Sequence, residues 1–176
     1  FAYGGGISSF SDAKKIFECG VEKIVLNYSI LENLNLVEEC AASFGSQSVV
    51  TSIDYKNKLF NNNLQFNHVT SKTSNLKVLD VAIAAENAGS GEILINSVDR
   101  DGMMSGLDLE TIQDVSSNIR VPLVACGGVG NLNHMKEAEE AGVSAIAAGS
   151  FFIYRGKHRG ILINYPNEQE LCQYLN

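Results

Sequence analysis

The sequence has little positive charge. Thirteen Lys and Arg stand against 20 Asp and Glu, giving a net charge of −7 and a pI near 4.9. A nucleic-acid partner needs a basic face, so this balance argues against one. Cysteine is sparse and scattered. Cys19, Cys40, Cys126 and Cys172 stand far apart, with no pair at metal-ligand spacing. They read as reduced thiols of a cytoplasmic protein. His68, His134 and His158 show no ligand spacing either, so neither a metal nor a cofactor is expected. No apolar run reaches the roughly 18 residues of a membrane span. No charged segment followed by an apolar stretch marks a signal peptide. A starting Met is lacking too. Phe1 leads directly into Ala2-Tyr3-Gly4-Gly5-Gly6, which reads as a start at a strand end inside a longer protein.

What is present is a regular alternation. With 45% hydrophobic residues in 176, the chain can bury one core and fits one domain. Helices are predicted over Ser9–Cys19, Leu31–Phe44, Leu76–Ala88, Leu109–Ser117, Asn131–Ala141 and Asn167–Leu175. Gly20, Gly45, Gly89 and Gly142 stop four of them, and Asp108 caps another. Buried strands are predicted over Lys23–Asn27, Gln47–Asp54, Glu92–Asn96, Val121–Ala125 and Ser144–Ala148. Tyr55–Thr70 reads as a surface β-hairpin, with turn formers at Lys56-Asn57-Lys58 and Asn61-Asn62-Asn63. Strand-helix alternation means α/β, a parallel sheet with right-handed crossovers. Six βα units are read here, whereas a closed (β/α)8 barrel of the TIM type has eight over about 250 residues. Residues 1–176 are therefore read as one partial barrel domain, its first two units, about 30 residues each, lying outside it.

The chain repeats itself at an offset of 122 residues without a gap. Gly5 matches Gly127, Gly6 matches Gly128, Phe10 matches Leu132, Gly20 matches Gly142, Val21 matches Val143 and Ile24 matches Ile146. The barrel thus reads as two similar halves. By the same offset the partner of Asp54 lies about 68 residues before Phe1.

The strand ends carry the chemistry. Gly4-Gly5-Gly6 and Asn27-Tyr28-Ser29 end strands in one repeat; Cys126-Gly127-Gly128 and Gly149-Ser150 do so in the other. Glycine lets backbone N–H groups approach an anion closely, and a helix N-terminus adds partial positive charge. Two such loops on neighbouring strands make a barrel phosphate cradle. Two cradles on opposite sides point to a ligand with two phosphates; the alternative is that these glycines only make tight turns. Asp54 ends a strand at the face where such barrels hold their active sites, and suits general acid/base work. In Asp99-Arg100-Asp101-Gly102, Gly102 offers an N–H to the second phosphate and Asp101 can orient substrate hydroxyls. Arg100 is free to pair with Asp99 or Asp101. Lys23 and Glu92 start strands at the opposite face, as a salt-bridged ring or as plain solvated charges.

These residues resemble the cyclase subunit family of imidazole glycerol-phosphate synthase, a ribulose-phosphate-binding type of barrel. Gly4-Gly5-Gly6-Ile7, Lys23-Ile24-Val25-Leu26-Asn27, Phe44-Gly45-Ser46-Gln47, Ile53-Asp54, Gly91-Glu92-Ile93-Leu94, Asp99-Arg100-Asp101-Gly102 and Gly127-Gly128 carry the likeness, in order from Phe1 to about Phe152. The Phe-Gly-Ser-Gln and Asp-Arg-Asp-Gly stretches favour the cyclase over its sister isomerase. The resemblance implies a lyase of histidine biosynthesis. Ammonia from a glutaminase partner, seated at the N-terminal barrel face, attacks a bisphosphorylated formimino-aminoimidazole-carboxamide ribonucleotide. Imidazole glycerol phosphate and an aminoimidazole-carboxamide ribonucleotide result. By resemblance Asp54 is one of two catalytic aspartates, the other belonging to the first barrel strand. Gly6, Asn27 and Tyr28 match one phosphate site; Gly102, Gly128, Gly149 and Ser150 match the other. Lys23 and Glu92 match members of the gate that admits ammonia, and Glu22 lies at the partner-facing edge.

Three stretches depart from the family. Met103-Met104 follows Asp-Gly where Thr and a polar residue are usual, and Tyr28 replaces Thr. The tail from Arg155-Gly156-Lys157-His158-Arg159 to Ile163-Asn164-Tyr165-Pro166 resembles paralogues found with surface-polysaccharide genes, thought to channel ammonia for sugar amidation. That is the alternative function. A non-catalytic sugar-phosphate-binding barrel is a third.

Overall fold

The computed structural model describes residues 1–28, 30, 33–58, 62–156, 158–163 and 165–175, with the backbone alone for Lys58 and Asn62. Ser29, Leu31, Asn61, Lys157 and Asn164, on which some of the sequence expectations fall, lie outside the described residues. In chain order the elements are β1 (Ala2–Gly4), α1 (Phe10–Glu18), β2 (Lys23–Leu26), α2 (Asn35–Phe44), β3 (Val49–Lys58), β4 (Asn62–Asn67), β5 (Lys72–Lys77), α3 (Val78–Asn87), β6 (Glu92–Ser97), α4 (Leu109–Ser116), β7 (Leu123–Cys126), α5 (Leu132–Glu140), β8 (Ala145–Ala147), α6 (Ser150–Ile153), β9 (Tyr154–Arg155), β10 (Gly160–Ile161) and α7 (Glu168–Cys172).

Six strands pair in parallel in the order β1-β2-β3-β6-β7-β8, a partial TIM-type (β/α) barrel. Alternation along each strand sorts its side chains to two faces. Ile24, Leu26, Ile53, Ile93, Ile95, Leu123 and Ala125 are at most 2% exposed on the helix side. There they meet Ala13, Val37, Cys40, Ala82, Ala85, Ile112, Val115 and Ala138 of the helices. The other face carries Lys23, Val25 and Asn27; Val50, Ser52 and Asp54; Glu92, Leu94 and Asn96. Charged side chains stand at the starts of β2 and β6 and polar ones at the ends of all three strands; between them Val25, Val50 and Leu94 share the face with Ser52.

The repeat survives in three dimensions. Helices α1 and α5 are each nine residues long and begin at matched positions, Phe10 and Leu132. Their N-caps match too: Ser9 accepts from the Asp12 N–H and Asn131 from the His134 N–H. Gly5, Gly6, Gly20, Gly127, Gly128 and Gly142 all have positive φ.

Two expectations are corrected, and the tail gains elements that were not predicted. The hairpin at Tyr55–Thr70 is one part of a three-stranded antiparallel extension. Strand β3 runs on past Asp54 to Lys58, β4 pairs with it, and β5 pairs with β4. The helix after it begins at Val78, because Lys72–Lys77 is a strand. The tail holds a one-turn helix, α6, and a β9–β10 hairpin before α7.

The extension is anchored from below. The Tyr55 hydroxyl donates to Asp108 at 3.3 Å, the Thr111 hydroxyl donates to Asp108 at 2.8 Å, and the Asn63 amide donates to Thr111. Burial first, and the Asp108 charge second, push the Tyr55 hydroxyl well above its ordinary value. It stays a neutral donor.

Candidate functional site

Asp54 ends the parallel part of β3 and is 7% exposed. Its register partner across the sheet is Asn96 on β6. The Asn96 amide donates to Asp54 Oδ1 at 2.8 Å, and the Asn27 amide donates to Oδ2 at 2.6 Å. Three neighbouring strands thus converge on one carboxylate. Both partners are donors, and the two carboxylate oxygens accept one amide N–H each. Asn27 is expected at a phosphate; its side chain is committed to Asp54 and, at 3.4 Å, to Ser52, which leaves its backbone for an anion.

His68 joins this group from the extension. Its Nε2 lies 3.5 Å from Asp54 Oδ2, its ring packs edge-on against Phe66, and its side chain is 57% exposed. The Lys56 ammonium sits 4.2 Å from the centre of the Phe66 ring. Nothing in the spacing of His68 announces this approach, which depends on how β4 folds back along β3.

The glycine loops of the second repeat come together. Asp101, Gly102, Cys126, Gly127, Gly128, Gly149 and Ser150 line one hollow at the ends of β6, β7 and β8. The Cys126 thiol is pushed up by burial first, then by the charges of Asp101 and Asp54. Arg100 does not pair with Asp99 or Asp101 among the described residues; its Nη1 donates to the Gly106 carbonyl at 3.2 Å. Asp99 instead accepts the Asn57 N–H at 2.9 Å and so ties the extension to this loop. Gly6, at the other repeat, has open space where a Cβ would be.

At the opposite end Lys23 and Glu92 form an ion pair at 2.6 Å, with side chains 40% and 22% exposed. Together with Ala2, Gln47, Ser48, Gly91 and Pro122 they line a hollow of about 630 Å³. Four residues of strand, a rise of about 13 Å, separate Lys23 from Asn27. Gly91 sets the local packing. A Cβ there would lie 2.3 Å from the Ser46 carbonyl oxygen, so the Phe-Gly-Ser-Gln stretch closes onto the start of β6 only over a glycine.

Among the described residues no three His, Cys, Asp or Glu are placed to hold a metal, and no helix is long and apolar enough to cross a membrane.

A family profile described as histidine biosynthesis protein matches residues 1–159. A Pseudomonas aeruginosa protein provisionally named imidazole glycerol phosphate synthase subunit hisF2 is 43% identical over 170 residues, 96% of this chain and 68% of that protein. The protein named imidazole glycerol phosphate synthase subunit HisF of Exiguobacterium sibiricum is 39% identical over 152 residues, 86% of this chain and 61% of its own length. The one so named in Thermotoga sp. is 37% identical over 155 residues, 88% and 61%. The chain therefore spans about two thirds of the length of these relatives.

Proposed function

The chain belongs to the histidine biosynthesis protein family, and we propose on that basis that its barrel serves as the cyclase subunit of imidazole glycerol phosphate synthase. In this reading two further βα units close the ring between β8 and β1. Ammonia from a glutaminase partner enters at the Lys23–Glu92 end, passes Val25, Ser52 and Leu94 inside the barrel and attacks a bisphosphorylated ribonucleotide held at the Asp54 end. Asp54 moves the proton. Gly102, Gly128, Gly149 and Ser150 hold one phosphate; Gly6 and the backbone at Asn27 and Tyr28 hold the other. Asp101 orients hydroxyls between them.

The observation that carries the reading is Asp54, clasped by Asn27 and Asn96 between the two glycine-rich strand ends. The test is turnover of the bisphosphorylated ribonucleotide to the imidazole product, with ammonia supplied directly and then through glutamine and the partner.

The Lys23–Glu92 pair gives that test a sharper form. Removing one member leaves a half-buried charge unpaired at the entrance. Lys23→Met is expected to lower glutamine-dependent turnover about tenfold, equivalent to ~1.4 kcal/mol, and to leave ammonia-dependent turnover near normal. An unchanged ratio of the two rates would remove the pair from the ammonia route.

A second reading has its own support. The match to the provisionally named hisF2 protein extends over 170 residues, against 152 and 155 for the two named HisF. That longer match takes in more of the tail, which supports this reading. In that reading the barrel channels ammonia for sugar amidation. It predicts that the partner's glutaminase is activated while no imidazole product forms.

A further inference from the structure

The basic stretch at Arg155–Arg159 has no part in the chemistry above. Arg155 and Arg159 of this stretch lie on the β9–β10 hairpin, which follows α6 and hence Ser150. Arg159 sits at the hairpin turn with φ 49°, a left-handed conformation that is uncommon outside glycine. Its Nη2 donates to the Gly102 carbonyl at 2.8 Å, across 57 residues of sequence. Gly102 in turn faces Ser150: a Cβ on Gly102 would lie 3.8 Å from the Ser150 hydroxyl oxygen. A guanidinium is therefore held at the rim of the hollow lined by Gly102, Gly128, Gly149 and Ser150. Arginine has five N–H donors, and the side chain is exposed, so donors remain for a ligand.

We propose that Arg159 is an anion-binding residue of this hollow, giving it preference for a phosphate over a neutral hydroxylated group. The proposal rests on the reading of the hollow as a phosphate site, and it adds a selectivity that the glycine loops lack. Asp101 lines the same hollow, and its charge reaches Cys126. A phosphate entering there meets a carboxylate as well as backbone N–H groups, and a planar, permanently charged fork offsets that repulsion.

The test is titration of the full-length protein with inorganic phosphate, followed through the backbone amides of Gly102 and Gly6. Arg159→Ala is expected to weaken the affinity reported at Gly102 about tenfold, the scale of one charge-assisted contact, and to leave that at Gly6 unchanged. Arg159→Lys recovers part of the loss. Arg155→Ala removes the same charge from the same hairpin, but Arg155 lines a separate hollow with Asn131 and Glu170. It should leave both sites unaltered. If phosphate binds at Gly102 equally well with and without Arg159, or if Arg155→Ala costs as much, the role of Arg159 is overturned and the phosphate site stands. If neither amide responds in the unaltered protein, the phosphate reading itself falls, and Arg159 with it.

Discussion

Replacing Asp54 by Asn is expected to lower ammonia-dependent turnover by at least about two orders of magnitude, the scale of losing a general acid/base group, with substrate binding retained. The substitution keeps the shape and removes the charge and the proton capacity. It also disturbs the clasp. Asn27 and Asn96 both present amide N–H groups to Asp54, at 2.6 and 2.8 Å. An Asn there has one acceptor oxygen, so one of these donors faces an NH2 and must turn away. The proposed phosphate loops lie at other strand ends, so KM should move far less than kcat. Asn96→Ala provides the intermediate case: the carboxylate stays but one of its two positioning donors is gone, and a smaller loss in kcat is expected. An Asp54→Asn protein that turns over near the normal rate with ammonia as donor would remove Asp54 from the chemistry, whatever its position.

Much of this site is legible in the sequence because the barrel rule is simple: residues at the C-terminal ends of strands meet, and so do those at the starts. Asp54 and Asn96 are found together, as are Lys23 and Glu92, 69 residues apart. The repeat sharpened the reading further, since the glycines Gly5, Gly6 and Gly20 recur at Gly127, Gly128 and Gly142, and the structure adds matched N-caps at Ser9 and Asn131. What was not legible lies in elements that no hydrophobic pattern specifies. Lys72–Lys77 has no apolar alternation, and it is a strand because β4 offers it an edge. The approach of His68 to Asp54 follows from that same pairing, and the reach of Arg159 to Gly102 from a hairpin of two-residue strands. Glycine was legible only in part. Gly127-Gly128 read as a cradle for an anion, and the structure gives these residues a second reason to be glycine.

That second reason separates two roles that the sequence merges. Gly128 has φ 109°, and a Cβ there would lie 2.2 Å from the Gly106 carbonyl oxygen. The Gly106 N–H donates to the Gly128 carbonyl at 2.8 Å. Two residues on, a Cβ at Gly130 would lie 2.3 Å from the Met104 carbonyl oxygen. The loop after β6 and the loop after β7 are thus docked backbone to backbone, with no room for a side chain. Gly128→Ala combines a backbone clash with an unfavourable φ and should cost roughly 2–4 kcal/mol, a fall in Tm of about 5–15 °C for a chain of this size. Phosphate affinity falls with it, because the loops part. Gly149 sits in the same hollow under opposite conditions: its φ is −110°, and a Cβ there meets nothing within 4 Å. Gly149→Asp should therefore change stability by no more than about 0.5 kcal/mol while its carboxylate drives phosphate out. Melting curves and phosphate titrations on both proteins give a crossed pattern: one variant loses fold stability and binding together, the other binding alone. If Gly128→Ala melts like the unaltered protein, the two loops are not docked in this way. If Gly149→Asp still binds phosphate, the hollow is not the anion's seat, and the glycines of the second repeat serve packing only.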